Sequence, residues 1–482
     1  MTIHQEAPLA WAAAHFGEVE LGDLRRNQRA VTIAVAMAAN PDRSIPQMFI
    51  NAYDIKAAYN FFRHPEATPE NLQLAHRELV MEQLQLPGRY LLLEDTSELS
   101  WSGNEPIPGL GPVGNGAAGL QGFHLHSVLA VRWLWEAAES TDWPGRPAVE
   151  VLGLPVQHYH LRQPRPKGES KKDSKIVKSR TRESQWWEQA GESLGAAPET
   201  EEIEWTRVCD RGADIYELLV SCQQLNHRFV IRASQDRCLT DEQGREITGK
   251  LFETAQSQSA LGEFALELRA RAGQAARTAK LKISTAEIWL RAPQRPGKGP
   301  GYLPPVRCRV VRVWEAKPPA GVEALEWVLL SDHQIETFAQ ALELALIYAT
   351  RWLIEEFHEA LKTGTKAEDL QLETAESLFA AIALKSIVAL RLLDLRERTR
   401  LAPEAPAEEA GLTKLELTIL RQILKRPLKT VREVALAIGR LGGHLNRKSD
   451  GLPGWQTLFR GMTKLNNLVE GACIALKLKR FG

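Results

Sequence analysis

Cysteine is scarce in this 482-residue chain, and long apolar runs are missing from it. Its five cysteines are widely scattered without a CxxC pair, which argues against a disulfide framework and gives no sign of a zinc knuckle. No stretch approaches the roughly 18 uncharged apolar residues that a membrane-spanning helix needs. Residues 1–23 carry acids where the apolar region of a signal peptide would lie, so export is not expected. Together these features predict a protein of the reducing cytoplasm.

Net charge is also absent, because 60 Lys and Arg balance 60 Asp and Glu. This argues against a protein that merely coats nucleic acid, although basic residues can still be concentrated on one surface. The composition, 44% hydrophobic and 25% charged, is that of a globular protein. The length predicts two to four domains.

The first part of the chain has a helical pattern, with a basic cluster at Arg25, Arg26 and Arg29. The pattern then changes to segments rich in apolar and β-branched residues, separated by Gly/Pro-rich turns. These segments lie at 89–101, 126–136 and 149–162. They predict adjacent strands of one sheet.

Residues 162–182 form a basic segment with nine Lys or Arg and two acids. A solvated loop and a loop that contacts phosphate are equally compatible with it. The next strand is expected at 206–214, followed by a helix. Alternating strands from about residue 228, interrupted by a linker-like region up to about 279, predict a β-rich insertion.

A long helix is expected at roughly 338–363, with Gly364 as its stop signal. The remainder of the chain has a helical pattern, with a predicted linker at 398–411.

Three acids stand out by position. Asp95 and Asp210 each follow a short apolar strand, and Glu355 lies in the long helix. Rigidly held carboxylates suit a hard, oxygen-seeking cation, and three of them can bind two divalent ions for an in-line phosphoryl transfer. Each acid alone is weak evidence, because an acid at a strand end is more often a turn or cap residue.

The long helix strengthens the case. Tyr348, Arg351, Glu355 and Lys362 fall at offsets that place them within an arc of roughly 60° along about 21 Å of helix. Such a stripe suits a metal-bound phosphate, with the acid on the metal and the three donors on phosphate oxygens. The alternative is an exposed helix face with an Arg–Glu pair worth a few tenths of a kcal/mol.

The spacing Tyr-x2-Arg-x3-Glu-x6-Lys resembles the signature of the insertion-sequence-four family of bacterial DDE transposases. The resemblance extends to LLLEDTSELSW around Asp95, VCDRGADIY around Asp210, the N-terminal LGDLRRNQR, and LGGHLNRKSDG at 441–451 with Trp455 after it. It covers most of the chain in order and is weakest in the insertion.

The resemblance implies an α/β fold with an RNase H-like catalytic core and a β-rich insertion, flanked by helical N-terminal and C-terminal domains. The implied division is a DNA-end-binding domain at 1–70 and a catalytic domain at 71–375, with the insertion at about 232–330. Residues 376–482 would form a helical domain for dimerisation and DNA contact.

It also implies that Asp95, Asp210 and Glu355 are both the catalytic residues and the ligands of Mg²⁺, with Mn²⁺ as a substitute and no organic cofactor. The implied chemistry is nicking, hairpin formation, hairpin opening and strand transfer. The implied partners are double-stranded transposon-end DNA and target DNA, held by a homodimer in the synaptic complex. No membrane is involved, and the implied location is the bacterial cytoplasm, at the nucleoid when the protein is bound to DNA.

Further DNA contacts follow from the resemblance. Trp327 occupies the position of the family's stacking tryptophan, and Trp352 lies beside Arg351 on the signature helix. Stacking on an aromatic ring stabilises a flipped base by about 1–3 kcal/mol. Tyr348 and Lys362 complete the expected contacts on the helix.

The basic cluster Arg25, Arg26 and Arg29 resembles the family's end-recognition element, since arginines can reach phosphates or guanine edges. Ala39 and Asn40 stand where a close family member carries Lys and Tyr, and Asn60 stands where it carries Arg. We therefore expect DNA binding with a different end sequence.

The sequence also allows other interpretations of the histidines and of the protein's function. The pairs His124/His126 and His158/His160 alternate on their strands and could each contribute to a zinc site, but no third ligand is evident. The same core could serve a structure-selective nuclease without strand transfer. A DNA-binding protein with an inactive site is disfavoured by the complete set of acids.

Overall fold

The computed structural model describes residues 8–103, 105–114, 120–135, 147–162, 183–268, 276–294, 302–447 and 450–478. The basic segment at 162–182, apart from Arg162, lies outside these residues. No described helix is both long and apolar enough to cross a membrane.

The chain begins with short helices, as its pattern predicts. They are α1 Pro8–Phe16, α2 Leu24–Ala39, α3 Ile45–Met48, α4 Ala52–Phe62, α5 Pro69–Leu72 and α6 Leu74–Leu84. Asp23 caps α2 by accepting a hydrogen bond from the backbone N–H of Arg25, which satisfies a donor that the helix cannot pair internally. One face of α2 is buried through Ala30, Ile33 and Met37.

A mixed sheet forms the centre of the molecule. Its strands are β1 Gly88–Ser102, β2 Gly111–Pro112, β3 Leu120–Trp133, β4 Val149–His160, β5 Ile203–Cys209, β6 Arg228–Arg232, β7 Cys238–Thr240, β8 Ile247–Lys250, β9 Gly262–Leu268, β10 Arg277–Leu290, β11 Val306–Glu315 and β12 Glu326–Ser331. Two helices pack beside its central strands, α7 Trp186–Leu194 and α8 Tyr216–Gln224. The strands predicted at 89–101, 126–136 and 149–162 are confirmed as neighbours.

In the described residues the strand order is β2-β3-β1-β5-β6-β12-β11-β10-β7-β8, with β4 on β3 and β9 on β10. The pairs β1–β5 and β5–β6 are parallel, whereas the other pairings are antiparallel. Parallel strands end at the same edge of a sheet, so the residues that follow β5 lie beside the middle of the longer β1.

The strands of the expected insertion extend the central sheet, because β12 pairs with both β11 and β6. The linker-like interpretation of the region up to about 279 is wrong. That region contains β7, β8, β9 and the helix α9 Leu251–Ser257. Its strands are short or exposed on alternate residues at the outer part of the sheet, so their apolar pattern is weak.

The long helix predicted at 338–363 has nearly the expected extent but is not continuous. It consists of α10 Phe338–Thr350, α11 Trp352–Glu359 and a π-helical turn at Ala360–Gly364. Thr337 and Gln340 form a capping box at its start. A side chain on Gly364 would place its Cβ 2.7 Å from Leu392 Cδ1, so glycine ends the helix where it packs against the next one.

The C-terminal region is helical, with α12 Ala375–Leu401, α13 Lys414–Leu424, α14 Val431–Leu441 and α15 Trp455–Leu478. The linker predicted at 398–411 is too long, because α12 continues to Leu401 and Ala407–Ala410 forms a 3₁₀ turn. The ion pair between Arg398 and Asp394, 2.7 Å apart, supports the last turns of α12.

The largest apolar core runs from the N-terminal helices across the sheet to α12. A second core lies between α8, α9 and the strands around β11. The predicted fold class is confirmed: an α/β protein has helical N-terminal and C-terminal regions around a central mixed sheet, a layout compatible with an RNase H-like core.

Candidate active site

Asp95 lies within β1 and not at its end, since β1 continues to Ser102. The parallel pairing with β5 stops one residue earlier, at Glu94 opposite Cys209. Asp95 is therefore at the edge of the parallel part of the sheet while its own strand is still held by β3. Its side chain is 21% exposed.

Asp210 follows the last residue of β5 and caps a 3₁₀ turn at Arg211–Ala213. Its carboxylate accepts a hydrogen bond from the backbone N–H of Gly212 at 2.8 Å. The side chain is half-buried. Asp210 thus combines the capping role expected of an acid at a strand end with a place beside Asp95.

Glu355 lies on α11 and forms an ion pair with Arg351, one turn earlier. Arg351 Nη1 is also 3.9 Å from Asp95 Oδ2, and its guanidinium carbon is 5.8 Å from the centre of the Tyr348 ring. The signature helix therefore places a cation between a strand carboxylate and its own carboxylate.

The other two acids affect Asp95 electrostatically. Burial raises the pKa of Asp95 to about 6; the positive charge of Arg351 opposes this shift, and the negative charges of Asp210 and Glu355 add to it. Like charges influence a pKa in this way only at short range. Asp95 therefore lies within electrostatic range of both Asp210 and Glu355.

The chemistry of these donors fits a divalent cation, although they do not form a closed cage. No three His, Cys, Asp or Glu side chains within the described residues are arranged as a metal site, and Glu355 is turned toward Arg351. The donors are carboxylate oxygens, which Mg²⁺ prefers. A bound cation would neutralise the negative charge that Asp210 and Glu355 add beside Asp95.

His358 is a site residue that the sequence analysis missed. Its Nδ1 is 3.9 Å from Asp95 Oδ2 and its side chain is 7% exposed. Burial, and then the positive charge of Lys362, lower its pKa to about 3. In the sequence, His358 could have been identified as a site residue from its position one turn after Glu355, on the same face of the helix. Lys362 itself is half-buried in the π-helical turn.

Two tryptophans flank this helix in different ways. Trp327 is half-buried on β12, and its ring centre is 5.7 Å from that of Tyr348. Trp352 begins α11 and is 51% exposed. Trp327 is thus connected to Asp95 through Tyr348 and Arg351, whereas Trp352 presents an aromatic surface to solvent.

The three N-terminal arginines differ in their surroundings. Arg25 is exposed, and Arg26 Nη1 lies 3.3 Å from His64 Nδ1. Arg29 forms an ion pair of 2.6 Å with Asp54. This internal partner lies on another helix, α4, and could not be read from the pattern of α2 alone.

The four histidines weighed as a zinc site come together on β3 and β4, where His124 is opposite His160 and His126 is opposite His158. His126 has partners at both ring nitrogens, Glu94 at 2.9 Å and Thr96 at 2.7 Å.

A family model described as transposase DNA-binding matches residues 8–67. The match covers α1 to α4, and Arg25, Arg26 and Arg29 lie within it. This similarity supports a transposase that binds DNA through its N-terminal helices.

Proposed function

We propose that the chain is a DDE transposase of the insertion-sequence-four family, similar to the transposase of transposon five. It would excise an element by nicking, hairpin formation and hairpin opening, and would join the 3′ ends to target DNA. The observation that carries the proposal is the contact of Arg351 with both Asp95 and Glu355, together with the electrostatic influence of Asp210 on Asp95. The N-terminal match independently supports the coarser part of the proposal, a transposase that binds DNA.

Asp95, Asp210 and Glu355 would hold Mg²⁺, or Mn²⁺ in its place. When bound, the ions supply activation of the attacking oxygen and charge neutralisation at the leaving oxygen. Arg351 balances the acids in the free protein, and on DNA it would donate to a phosphate oxygen in place of Glu355. Tyr348 and Lys362 would position the same strand from the two ends of the signature helix.

The hairpin step requires a displaced base, for which Trp327 and Trp352 offer stacking surfaces. We predict that Trp327→Ala slows hairpin formation about tenfold while the first nick is little affected. Time courses of nicked and hairpin products on denaturing gels measure both steps. Trp314→Ala is the matched control, because Trp314 lies on the opposite face of the β11–β12 ladder. Equal slowing of both steps would remove the stacking role.

DNA recognition would involve both ends of the chain. Arg25, Arg26 and Arg29 would contact the transposon end, and the helical C-terminal region would assist DNA contact and formation of a homodimer in the synaptic complex. A bacterial enzyme of this kind would act at the nucleoid.

Glu355→Ala tests the proposal. Purified protein is incubated with Mg²⁺, a plasmid target, and donor DNA ending in the inverted repeats found beside the coding region. We expect wild type to yield joined products, and Glu355→Ala to bind the ends without cutting them. Glu359→Ala is the matched control, since Glu359 is exposed on the same helix and contacts Gln456.

Other outcomes would favour other functions. Cleavage without joining by wild type would favour a structure-selective nuclease, and binding without cleavage would favour a DNA-binding protein. Normal cleavage by Glu355→Ala would contradict the assignment of the acids.

A further inference from the structure

A fully buried ion pair lies directly behind the candidate active site. Glu94 has no exposed surface and accepts hydrogen bonds from Arg207 Nε at 2.9 Å and Arg207 Nη2 at 2.6 Å. Arg207 is buried as completely, and its Nη2 also donates to the carbonyl of Trp187 at 2.6 Å. The pair therefore joins β1, β5 and α7.

This pair is located where the two acid-bearing strands stop pairing. Glu94 and Cys209 are the last partners of the parallel ladder, and Asp95 and Asp210 are the next residue on each strand. Side chains alternate between the two faces of a strand, so Glu94 and Arg207 meet on the face opposite the acids. A bond at this point opposes separation of the two strands just before Asp95 and Asp210.

His126 on β3 binds the two residues that flank Asp95 in the chain. Its Nε2 is 2.9 Å from Glu94 Oε1, and its Nδ1 is 2.7 Å from Thr96 Oγ1. Because an ionised carboxylate only accepts, Nε2 carries a proton and donates it to Glu94. The two neighbours of Asp95 in the chain are thus bound by one imidazole ring.

Helix α7 packs against both Arg207 and His126. The closest approach is at Gly191, where an added Cβ would lie 2.6 Å from Arg207 Nη1. The ring of Trp187 packs edge-on against His126, with 4.6 Å between the ring centres. The ion pair is consequently confined on each side that the structure describes.

A buried ion pair is weak evidence for stability, because apolar residues of similar size often serve as well. What it adds is directional bonding, which fixes separation and register. We propose that Glu94, Arg207 and His126 are positioning residues that set the separation of Asp95 and Asp210, and thereby the affinity of the site for divalent cations. This inference rests on the proposed function.

The test separates positioning from stability by removing both charges at once. The variant is Glu94→Gln with Arg207→Met, which leaves His126 an acceptor at residue 94. Mn²⁺ binding to the full-length, DNA-free protein is measured from the signal of free Mn²⁺ in electron paramagnetic resonance, and thermal unfolding is measured in parallel. We expect a melting temperature close to that of wild type and a dissociation constant for Mn²⁺ raised about tenfold.

The matched control is Arg277→Met with Glu315→Gln, which removes an ion pair between β10 and β11. We expect it to leave Mn²⁺ binding unchanged. Thr96→Val is a milder second variant that removes one bond to His126, and we expect it to raise the dissociation constant about threefold. It keeps the inference open to refutation if the double variant fails to fold.

Unchanged Mn²⁺ binding in a folded double variant or in Thr96→Val would overturn the positioning role alone. Equal weakening in the control variant would do the same. If wild type and Asp95→Asn bind Mn²⁺ equally, the proposed metal site itself fails, and the inference fails with it.

Discussion

Glu94 and Asp95 are consecutive carboxylates on β1, and they face opposite sides of the central sheet. Burial would raise the pKa of Glu94, but the charge of Arg207 and the bonds from His126 lower it below its ordinary value. Burial raises the pKa of Asp95 to about 6, and the charges of Asp210 and Glu355 add to this effect against Arg351. The more deeply buried acid is therefore the more stable anion.

The difference shows that partners, and not burial, decide what a carboxylate does in this protein. Glu94 accepts hydrogen bonds from Arg207 and His126. It acts as part of the framework, meaning the buried bonds that connect β1 with β3 and β5. Asp95 has acids near it and only one long contact to a cation, Arg351 at 3.9 Å. His358, also at 3.9 Å, is uncharged near neutral pH because its pKa is lowered to about 3. An acid whose pKa stays raised by burial and neighbouring acids, despite a nearby arginine, is typical of a functional site.

The largest expected effect is on catalysis, from Asp95→Asn. Losing one carboxylate of a metal site removes several kcal/mol of transition-state stabilisation, so cleavage should fall by at least about 1000-fold. Stability should be unchanged or higher by up to about 1 kcal/mol, because repulsion at the site is relieved. Cleavage rates and urea unfolding measure the two quantities.

A clear loss of stability in Asp95→Asn would place Asp95 with Glu94 in the framework and break the comparison. Ser97→Ala, two residues along the same strand, controls for general effects of changing β1.

The second effect is on folding, from Glu94→Ala. This change leaves Arg207 buried without its carboxylate, a situation that costs about 3–5 kcal/mol. The free energy of unfolding, obtained from urea titration, should fall by that amount. Of these two neighbouring substitutions, Asp95→Asn would then mainly impair catalysis and Glu94→Ala would mainly impair stability. A loss below about 1 kcal/mol would contradict the framework role of Glu94.

The acids of the candidate active site could be predicted from the sequence, whereas the buried ion pair of Glu94 and Arg207 behind them could not. Asp95, Asp210 and Glu355 were singled out by their places in local strand and helix patterns and by the family resemblance, because each place alone is weak evidence. The pairing of Arg351 with Glu355 matches the alternative interpretation of the helix, an exposed face with an Arg–Glu pair.

Partners that come from distant strands could not be read in the same way. Arg207 reaches Glu94 only because β1 and β5 pair in parallel with one particular register, and His126 depends on the register of β3. Local patterns do not specify the register between strands whose partners lie 113 residues apart, as Glu94 and Arg207 do, or 32 apart, as Glu94 and His126 do. The break at Arg351 and the π-helical turn after Glu359 were likewise not predicted, because the helical pattern of residues 338–363 continues through both.

The smallest expected effect concerns the other end of the same strand pair. Arg89 and Glu204 are opposite each other where β1 and β5 begin, 3.2 Å apart, and His333 Nε2 is 3.4 Å from Glu204. Burial would raise the pKa of Glu204, but His333 and Arg89 lower it to about 2. This network is partly open to solvent, in contrast to the sealed pair at Glu94.

A lowered pKa means that the folded state prefers the anion. The stabilisation from Glu204 is therefore complete above its ordinary pKa of 4.5 and is lost as the pH falls from there toward 2. Solvent screening limits it to about 1–2 kcal/mol. Glu204→Gln should lower the free energy of unfolding by that amount at pH 7 and flatten its decline between pH 4.5 and 3, as measured by urea titration across this range. If wild type and Glu204→Gln lose stability in parallel over these pH values, the open network contributes nothing, and the strand pair is held mainly from its buried end.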